Sequence, residues 1–242
     1  MRYAIIAAGD GSRLAAEGIS APKPLVTING EALIDRLVRV FMDNDAEDII
    51  VICNDKTPLV ASHLAALQRD GLYGKRVPLH FIVKSTPSSM HSFYELSAHL
   101  SDAPFVLTTV DTIFREDEFA SYIAAFRRCM EGGALDGLMG VTDYIDDEKP
   151  LYVRVDDSGQ ISAFLDADDQ PRYISAGIYG LAPCAVDTLR SCMARGESRM
   201  RNFQRALLRD GRRLQAHCFT KVLDIDHKDD IAKAEQFVGD KG

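Results

Sequence analysis

Ala7-Ala8-Gly9-Asp10-Gly11-Ser12-Arg13-Leu14, followed by Pro22-Lys23-Pro24-Leu25, is the stretch on which the reading of this chain turns. It comes directly after Tyr3–Ala7, an apolar run of strand length. Glycines at a strand end let the backbone adopt positive φ and bring N–H groups close to a bound anion. Arg13 can then neutralise phosphate oxygens. A G-x-G loop alone fits an ordinary strand-to-helix turn equally well, so its neighbours decide. The dinucleotide-binding fingerprint needs a third small residue where Leu14 stands. The P-loop ends in Gly-Lys-Ser/Thr, and that ending is missing here. The chain runs instead to Lys23, held between two prolines on a stiff, extended backbone that fixes its amine.

Outward from this loop, apolar runs alternate with helical periods. Tyr3–Ala7, Asp48–Cys53, Leu79–Val83 and Phe105–Val110 read as buried strands. Leu33, Ile34, Leu37, Val38 and Phe41 share one helical face. Leu59, His63, Leu64 and Leu67 suggest a second helix, His91–Leu100 another, and Phe119, Ile123 and Phe126 one more. This βαβ rhythm predicts a parallel sheet covered on both faces. After residue 132 the pattern changes to successive strands at Gly137–Asp143, Leu151–Val155, Ile161–Leu165 and Tyr173–Leu181, split by turns such as Asp156-Asp157-Ser158-Gly159. Helices return at Pro183–Met193, Met200–Arg209 and Lys228–Val238. No repeat or linker divides the chain. The expectation is one domain over 1–242, with an α/β first half (1–132) and a β-rich second half (133–242).

Composition narrows the function classes. An apolar fraction of 46% and a charged fraction of 26% are ordinary for a globular protein. The net charge of -8 argues against sequence-blind nucleic-acid binding, which depends on Lys and Arg. The five cysteines (Cys53, Cys129, Cys184, Cys192, Cys218) lack zinc or redox spacing, and most sit in apolar stretches as small buried hydrophobes. The apolar run at the N-terminus is too short for a signal peptide, and none approaches the roughly 20 residues needed to span a bilayer. A cytoplasmic protein without membrane partners is expected. The six histidines show no paired metal spacing, and no G-x-S-x-G or Cys/His arrangement points to a hydrolase.

The A-A-G-x-G-S-R-L and P-K-P-L elements, with a helix beginning near Glu31-Ala32-Leu33-Ile34, resemble the sugar-phosphate nucleotidyltransferase family. That resemblance implies a Rossmann-like α/β/α sandwich with a mixed, mostly parallel central sheet. It also implies Mg²⁺-assisted transfer of a nucleoside monophosphate from a nucleoside triphosphate to a sugar 1-phosphate or similar small phosphorylated acceptor, with release of pyrophosphate. By the same resemblance, Ala7, Ala8, Gly9, Gly11, Ser12, Arg13 and Lys23 contact the nucleotide, Arg13 and Lys23 acting also in catalysis. A catalytically inactive regulatory subunit that keeps the nucleotide pocket is the alternative. It is disfavoured because Arg13, Lys23 and the candidate metal aspartates are all present.

In-line attack at phosphorus demands positioning and charge neutralisation, which Mg²⁺ held by one or two carboxylates supplies. Asp111 lies just past Phe105–Val110, where ligands bind in open α/β sheets. Its segment Thr109-Val110-Asp111-Thr112-Ile113-Phe114 is similar to the family's metal-binding "G-D-x-x-F". A turn aspartate is the plainer reading. The second carboxylate belongs to Val222-Leu223-Asp224-Ile225-Asp226-His227, which resembles the family's closing element. Asp224 and Asp226 alternate along an extended segment and can share a face. Asp226 can equally cap the last helix, with Asp229 three residues on. Both remain candidates.

The loop Lys84-Ser85-Thr86-Pro87-Ser88-Ser89-Met90 stands where the family reads the base, and Ser88 is the candidate contact. Its hydroxyl pattern is nearer to cytidylyltransferases, so CTP or UTP is favoured, although a Ser/Pro helix cap explains the same residues. Tyr173-Ile174-Ser175-Ala176-Gly177-Ile178-Tyr179 resembles the family's "N-A-G-I-Y" strand, which makes Ser175 and Gly177 acceptor candidates. The family's "E-K-P" lysine is missing, with Leu165-Asp166-Ala167-Asp168 in that region, and Lys221 is the candidate replacement cation. The sequence stops at Gly242 soon after the last helix, so no acetyltransferase-like second domain is expected.

Overall fold

Alternation along the first strand sets the layers. In β1 (Arg2–Ala7) the side chains of Tyr3, Ile5 and Ala7 join one hydrophobic cluster, and those of Ala4 and Ile6 join another. Successive side chains of a strand point to opposite faces, so a strand apolar at every position must be covered twice. A computed structural model describes residues 1–146 and 148–239. After β1 come α1 (Ser12–Ala16), a 3-10 turn at Lys23–Leu25, the small hairpin β2 (Thr27–Ile28) and β3 (Glu31–Ala32), and α2 (Leu33–Asp43). Next are β4 (Asp48–Cys53), α3 (Pro58–Asp70), β5 (Leu79–Val83), α4 (Ser89–Leu96), β6 (Phe105–Thr109), β7 (Thr112–Ile113) and α5 (Glu116–Gly132). The second half holds β8 (Gly137–Thr142), β9 (Tyr152–Val155), β10 (Ile161–Leu165), β11 (Tyr173–Leu181), α6 (Ala185–Ala194), α7 (Met200–Arg209), β12 (Leu214–Phe219), β13 (Leu223–Asp224) and α8 (Lys228–Gly239).

Nine strands from both halves form one sheet. Its order is β10-β9-β11-β6-β1-β4-β5, with β8 pairing β11 and β12 pairing β8. β1 runs parallel to β4 and β6, β4 to β5, and β8 to β12. β11 is antiparallel to β6, β8 and β9, and β10 to β9, so β10 and β11 run against the rest of the sheet. The sheet is thus the mixed, mostly parallel one expected. Helices α2, α3, α5 and α8 cover one face, where Tyr3 stacks on Phe41 at 4.3 Å between centroids. Helices α4, α6 and α7 cover the other, where Phe93 meets Phe203 edge-on at 5.2 Å. Each such fully buried ring contributes about 1.5–3 kcal/mol.

From β1 the chain builds outward through β4 to β5, then crosses back to lay β6 on the other side of β1. This reversal opens a crevice beyond the carboxyl ends of β1 and β6, the usual ligand position of an open α/β sheet.

Several elements differ from the sequence reading. The helix expected at His91–Leu100 begins at Ser89, and a 3-10 turn over Ser97–His99 ends it. β12 escapes periodicity because polar Gln215 and His217 interrupt it, and parallel pairing with β8 is what makes it a strand. The two-residue strands β7 and β13 are too short to show any period. All five cysteines are free, and against expectation only Cys53 and Cys192 are buried; Cys129 and Cys184 are half-buried and Cys218 on β12 is exposed. No helix among the described residues is long and apolar enough to cross a membrane.

Candidate active site

Asp111 follows β6 and Asp226 follows β13, far apart in sequence. Antiparallel pairing of β7 with β13, Thr112 opposite Asp224 and Ile113 opposite Leu223, ties the two segments together. The Ile225 N–H also donates to the Asp111 carbonyl at 3.2 Å. The Lys23 ammonium lies between the two carboxylates: it is in contact with Asp111 and donates to Asp226 Oδ1 at 2.8 Å. Its side chain is only 11% exposed and that of Asp111 18%. Burial alone would lower the Lys23 pKa, but the two carboxylates outweigh it and hold the amine above the usual lysine range. Burial likewise works to raise the Asp226 pKa, and Lys23 and then Arg13 overcome it, leaving that group below the usual aspartate value. Arg13 Nη1 donates to the other Asp226 oxygen at 2.8 Å, and its side chain is 56% exposed.

The rest of the glycine loop is shaped around this cluster. Gly11 has φ +60° and lies so near Lys23 that a Cβ on it would sit 3.1 Å from the Lys23 Cβ. It meets a backbone need and a packing need at once. Asn54, buried at the end of β4, donates from Nδ2 to the carbonyls of Ala8 and Gly9 at 3.3 and 3.2 Å, and accepts from the Thr57 hydroxyl at 2.7 Å. Lys56 reaches across to Asp10 at 3.4 Å. At the opposite lip, the Ser88 hydroxyl pairs with His91 Nδ1 at 2.9 Å, and the Thr86 hydroxyl pairs with Ser92 at 2.6 Å.

Between these two lips lies a cavity of about 510 Å³. Ala7, Ala8, Gly9, Gly11, Ser12, Arg13, Lys23, Ser88, Asp111 and Asp226 all border it. A second cavity, of about 450 Å³, lies on the other side of Arg13 and Asp226. Ser175, Asp224, Arg201, Lys233 and His227 line it, together with Tyr144. The Ser175 hydroxyl donates to Gln204 Oε1 at 2.9 Å. Arg201, on α7, is held by Asp166 at 2.6 Å and by the Lys149 carbonyl at 2.9 Å. The region lacking the "E-K-P" lysine therefore presents an arginine from another element.

Two candidates lie off both cavities. Gly177 sits at a register shift in the β11–β8 pairing with φ +71°, where the Thr112 hydroxyl would stand 3.3 Å from an added Cβ. The Lys221 ammonium rests over the rings of Tyr144 and Phe237, 4.4 and 5.2 Å from their centroids. The capping role considered for Asp226 falls elsewhere. Asp230 accepts from the N–H groups of Asp226 and His227 at 3.2 and 2.8 Å, and Glu17 accepts from that of Lys228 at 2.6 Å. Asp230 and Glu17 thus serve the N–H groups at the start of α8, and the Asp226 carboxylate bonds instead to Lys23 and Arg13.

Asp111 and Asp226 are hard oxygen donors converging on the Lys23 ammonium at the edge of the first cavity. That donor set suits Mg²⁺, which is held by one or two carboxylates plus phosphates and water and not by a closed protein cage. Among the described residues, no group of three or more His, Cys, Asp or Glu is arranged to hold a metal.

Comparison with known proteins places these features in a family. The family model for nucleotidyl transferases matches residues 3–241. The UTP–glucose-1-phosphate uridylyltransferase AglF of Haloferax volcanii is 25% identical over 98% of this chain and 96% of its own length. The low-salt glycan biosynthesis nucleotidyltransferase Agl11 of the same organism is 23% identical over 98% of this chain, which spans 66% of that protein. A putative glucose-1-phosphate thymidylyltransferase from Bacillus anthracis shares the fold, with a TM-score of 0.82 at 18% identity, covering 100% of this chain and 96% of that one.

Proposed function

The chain belongs to the nucleotidyl transferase family, and on that premise we propose that it joins a nucleoside monophosphate from a nucleoside triphosphate to a phosphorylated, hydroxyl-rich acceptor such as a sugar 1-phosphate. The observation that carries this reading is the junction of the two cavities. Arg13 and Asp226 border both, and they are bonded to each other at 2.8 Å. A triphosphate in the first cavity and an acceptor phosphate in the second meet at that pair.

In the proposed reaction an oxygen of the acceptor phosphate bonds to the α-phosphorus. The bond from that phosphorus to the bridging oxygen breaks, and pyrophosphate leaves with the electron pair. Arg13 neutralises the two approaching phosphates, which would otherwise repel each other. Lys23 binds the triphosphate, its amine positioned by the flanking prolines. Asp111 and Asp226 would hold Mg²⁺, which supplies further neutralisation of the phosphate oxygens when bound. Asn54 fixes the loop by donating to the Ala8 and Gly9 carbonyls. Ser85, Thr86 and Ser88 border the end of the first cavity where the base is read, and their hydroxyls suit a pyrimidine, CTP or UTP.

The second cavity favours a polyhydroxy acceptor over a quaternary ammonium. Tyr144 is the aromatic residue of its lining, and Lys221 already lies over that ring. A trimethylammonium group needs an open aromatic face. Pyrophosphate release with Mg²⁺ tests the proposal across CTP, UTP, dTTP, GTP and ATP against sugar 1-phosphates, phosphocholine and phosphonates. One base with one sugar-type acceptor should give release that vanishes in Asp111→Ala. No release from any pair would overturn it.

A further inference from the structure

The two candidate metal ligands share one ammonium. That of Lys23 touches both carboxylates, is 11% exposed and is fixed by Pro22 and Pro24 on either side. Arg13 takes the remaining bonded oxygen of Asp226. Two negative charges are therefore matched by two positive ones before any ligand arrives. A divalent cation entering this arrangement would meet no net attraction, and it would have to expel a buried ammonium from its counter-ions. A triphosphate offers that ammonium and the Arg13 guanidinium an equivalent set of anionic oxygens.

We infer that Lys23 is an internal counter-ion occupying the metal position of the free protein, so that a divalent cation binds between Asp111 and Asp226 only once nucleotide phosphates have drawn the lysine away. The inference rests on the proposed assignment of these two aspartates as metal ligands. It explains why a cation that serves the phosphates is placed within contact of both carboxylates and not on the far wall of the cavity. Nucleotide and metal then stabilise each other's binding, since each removes the obstacle to the other. The free protein is also spared a pair of unneutralised carboxylates lining the cavity, which would repel the triphosphate during its approach.

The test is Mn²⁺ binding to the full chain without nucleotide, read from the electron paramagnetic resonance signal of free Mn²⁺. Wild type should bind at least about tenfold more weakly than Lys23→Gln, a gap within the usual range for coupled sites. Lys23→Arg keeps the charge and should stay near wild type. Adding Asp111→Asn to Lys23→Gln should abolish the gain, which identifies the site responsible. Wild type that binds Mn²⁺ as tightly without CTP or UTP as with it overturns the inference, and this needs no variant to fold. Lys23→Gln that folds, by its melting curve, yet binds no tighter overturns it as well. In either case nucleotide-dependent pyrophosphate release by the wild-type chain would persist and leave the proposed reaction standing. Absence of CTP, UTP and Mn²⁺ binding together would remove both.

Discussion

The two cavities differ in how they are built. Every residue lining the first comes from the first half of the chain except Asp226, and every residue lining the second comes from the second half except Arg13. The first is largely backbone and small side chains at the carboxyl ends of adjacent strands. The second is rich in charged side chains from the segment after β8, from α7 and from β13 and α8, set against uncharged residues of β8 and β11. Contiguity explains the contrast. A triphosphate is a constant ligand that one loop and its neighbours can bind, whereas an acceptor site assembled from scattered elements can vary without disturbing the loop. The exchanged residues, Arg13 and Asp226, border both cavities, and the proposed reaction brings the two ligands together there.

Substitutions can separate the two cavities or show them to be one. The largest effect belongs to the shared chemistry. Asp111→Asn should lower kcat by about 10²–10³-fold, the usual cost of losing one group that stabilises developing charge. Steady-state kinetics with a melting curve to confirm folding checks it. Arg13→Ala should lower kcat/KM for nucleotide and acceptor together by about 10–100-fold, as expected for lost bonds to charged groups. An effect on one substrate alone would deny its place at the junction. Gly11→Ala forces a non-glycine residue to φ +60° and crowds Lys23. It should cost about 1–3 kcal/mol of stability and raise KM for the nucleotide, leaving that of the acceptor unchanged. Arg201→Ala is its mirror, raising the acceptor KM about tenfold with the nucleotide KM unmoved.

The smallest effect lies in the scaffold. His217 on β12 packs edge-on between Tyr122 and Phe219, and burial lowers its pKa below 6.5. A depressed histidine leaves the unfolded chain holding more protons just below that value. Stability should therefore be level above pH 6.5 and fall as pH drops toward the depressed folded pKa. His217→Gln should flatten this slope in thermal melts between about pH 5 and 7 while both KM values stay put.

The same contrast governs what the amino-acid pattern discloses. Strands such as Arg2–Ala7 and Asp48–Cys53 are legible because their runs of apolar residues can be satisfied only inside a covered sheet. The glycine loop and Lys23 are legible because strained backbone and proline-flanked residues leave local marks. Asn54 carries a readable sign, a polar residue ending an apolar strand at the site's edge, but its bonds to Ala8 and Gly9 belong to the tertiary structure. Arg201 carries none. It lies on an amphipathic helix among other arginines, and only the packing of α7 beside β10 turns it toward the second cavity. The choice between Asp224 and Asp226 is likewise beyond local reading, because the capping of α8 by Asp230 and Glu17 is what frees Asp226 for Lys23 and Arg13.

The most direct test of transfer across the Arg13–Asp226 junction is ³¹P nuclear magnetic resonance of the chain with CTP or UTP, a sugar 1-phosphate and Mg²⁺. Transfer predicts a new pair of coupled diphosphate resonances, with pyrophosphate appearing in equal amount and neither forming when the acceptor is withheld. Release of nucleoside monophosphate or diphosphate that proceeds without the acceptor would contradict it.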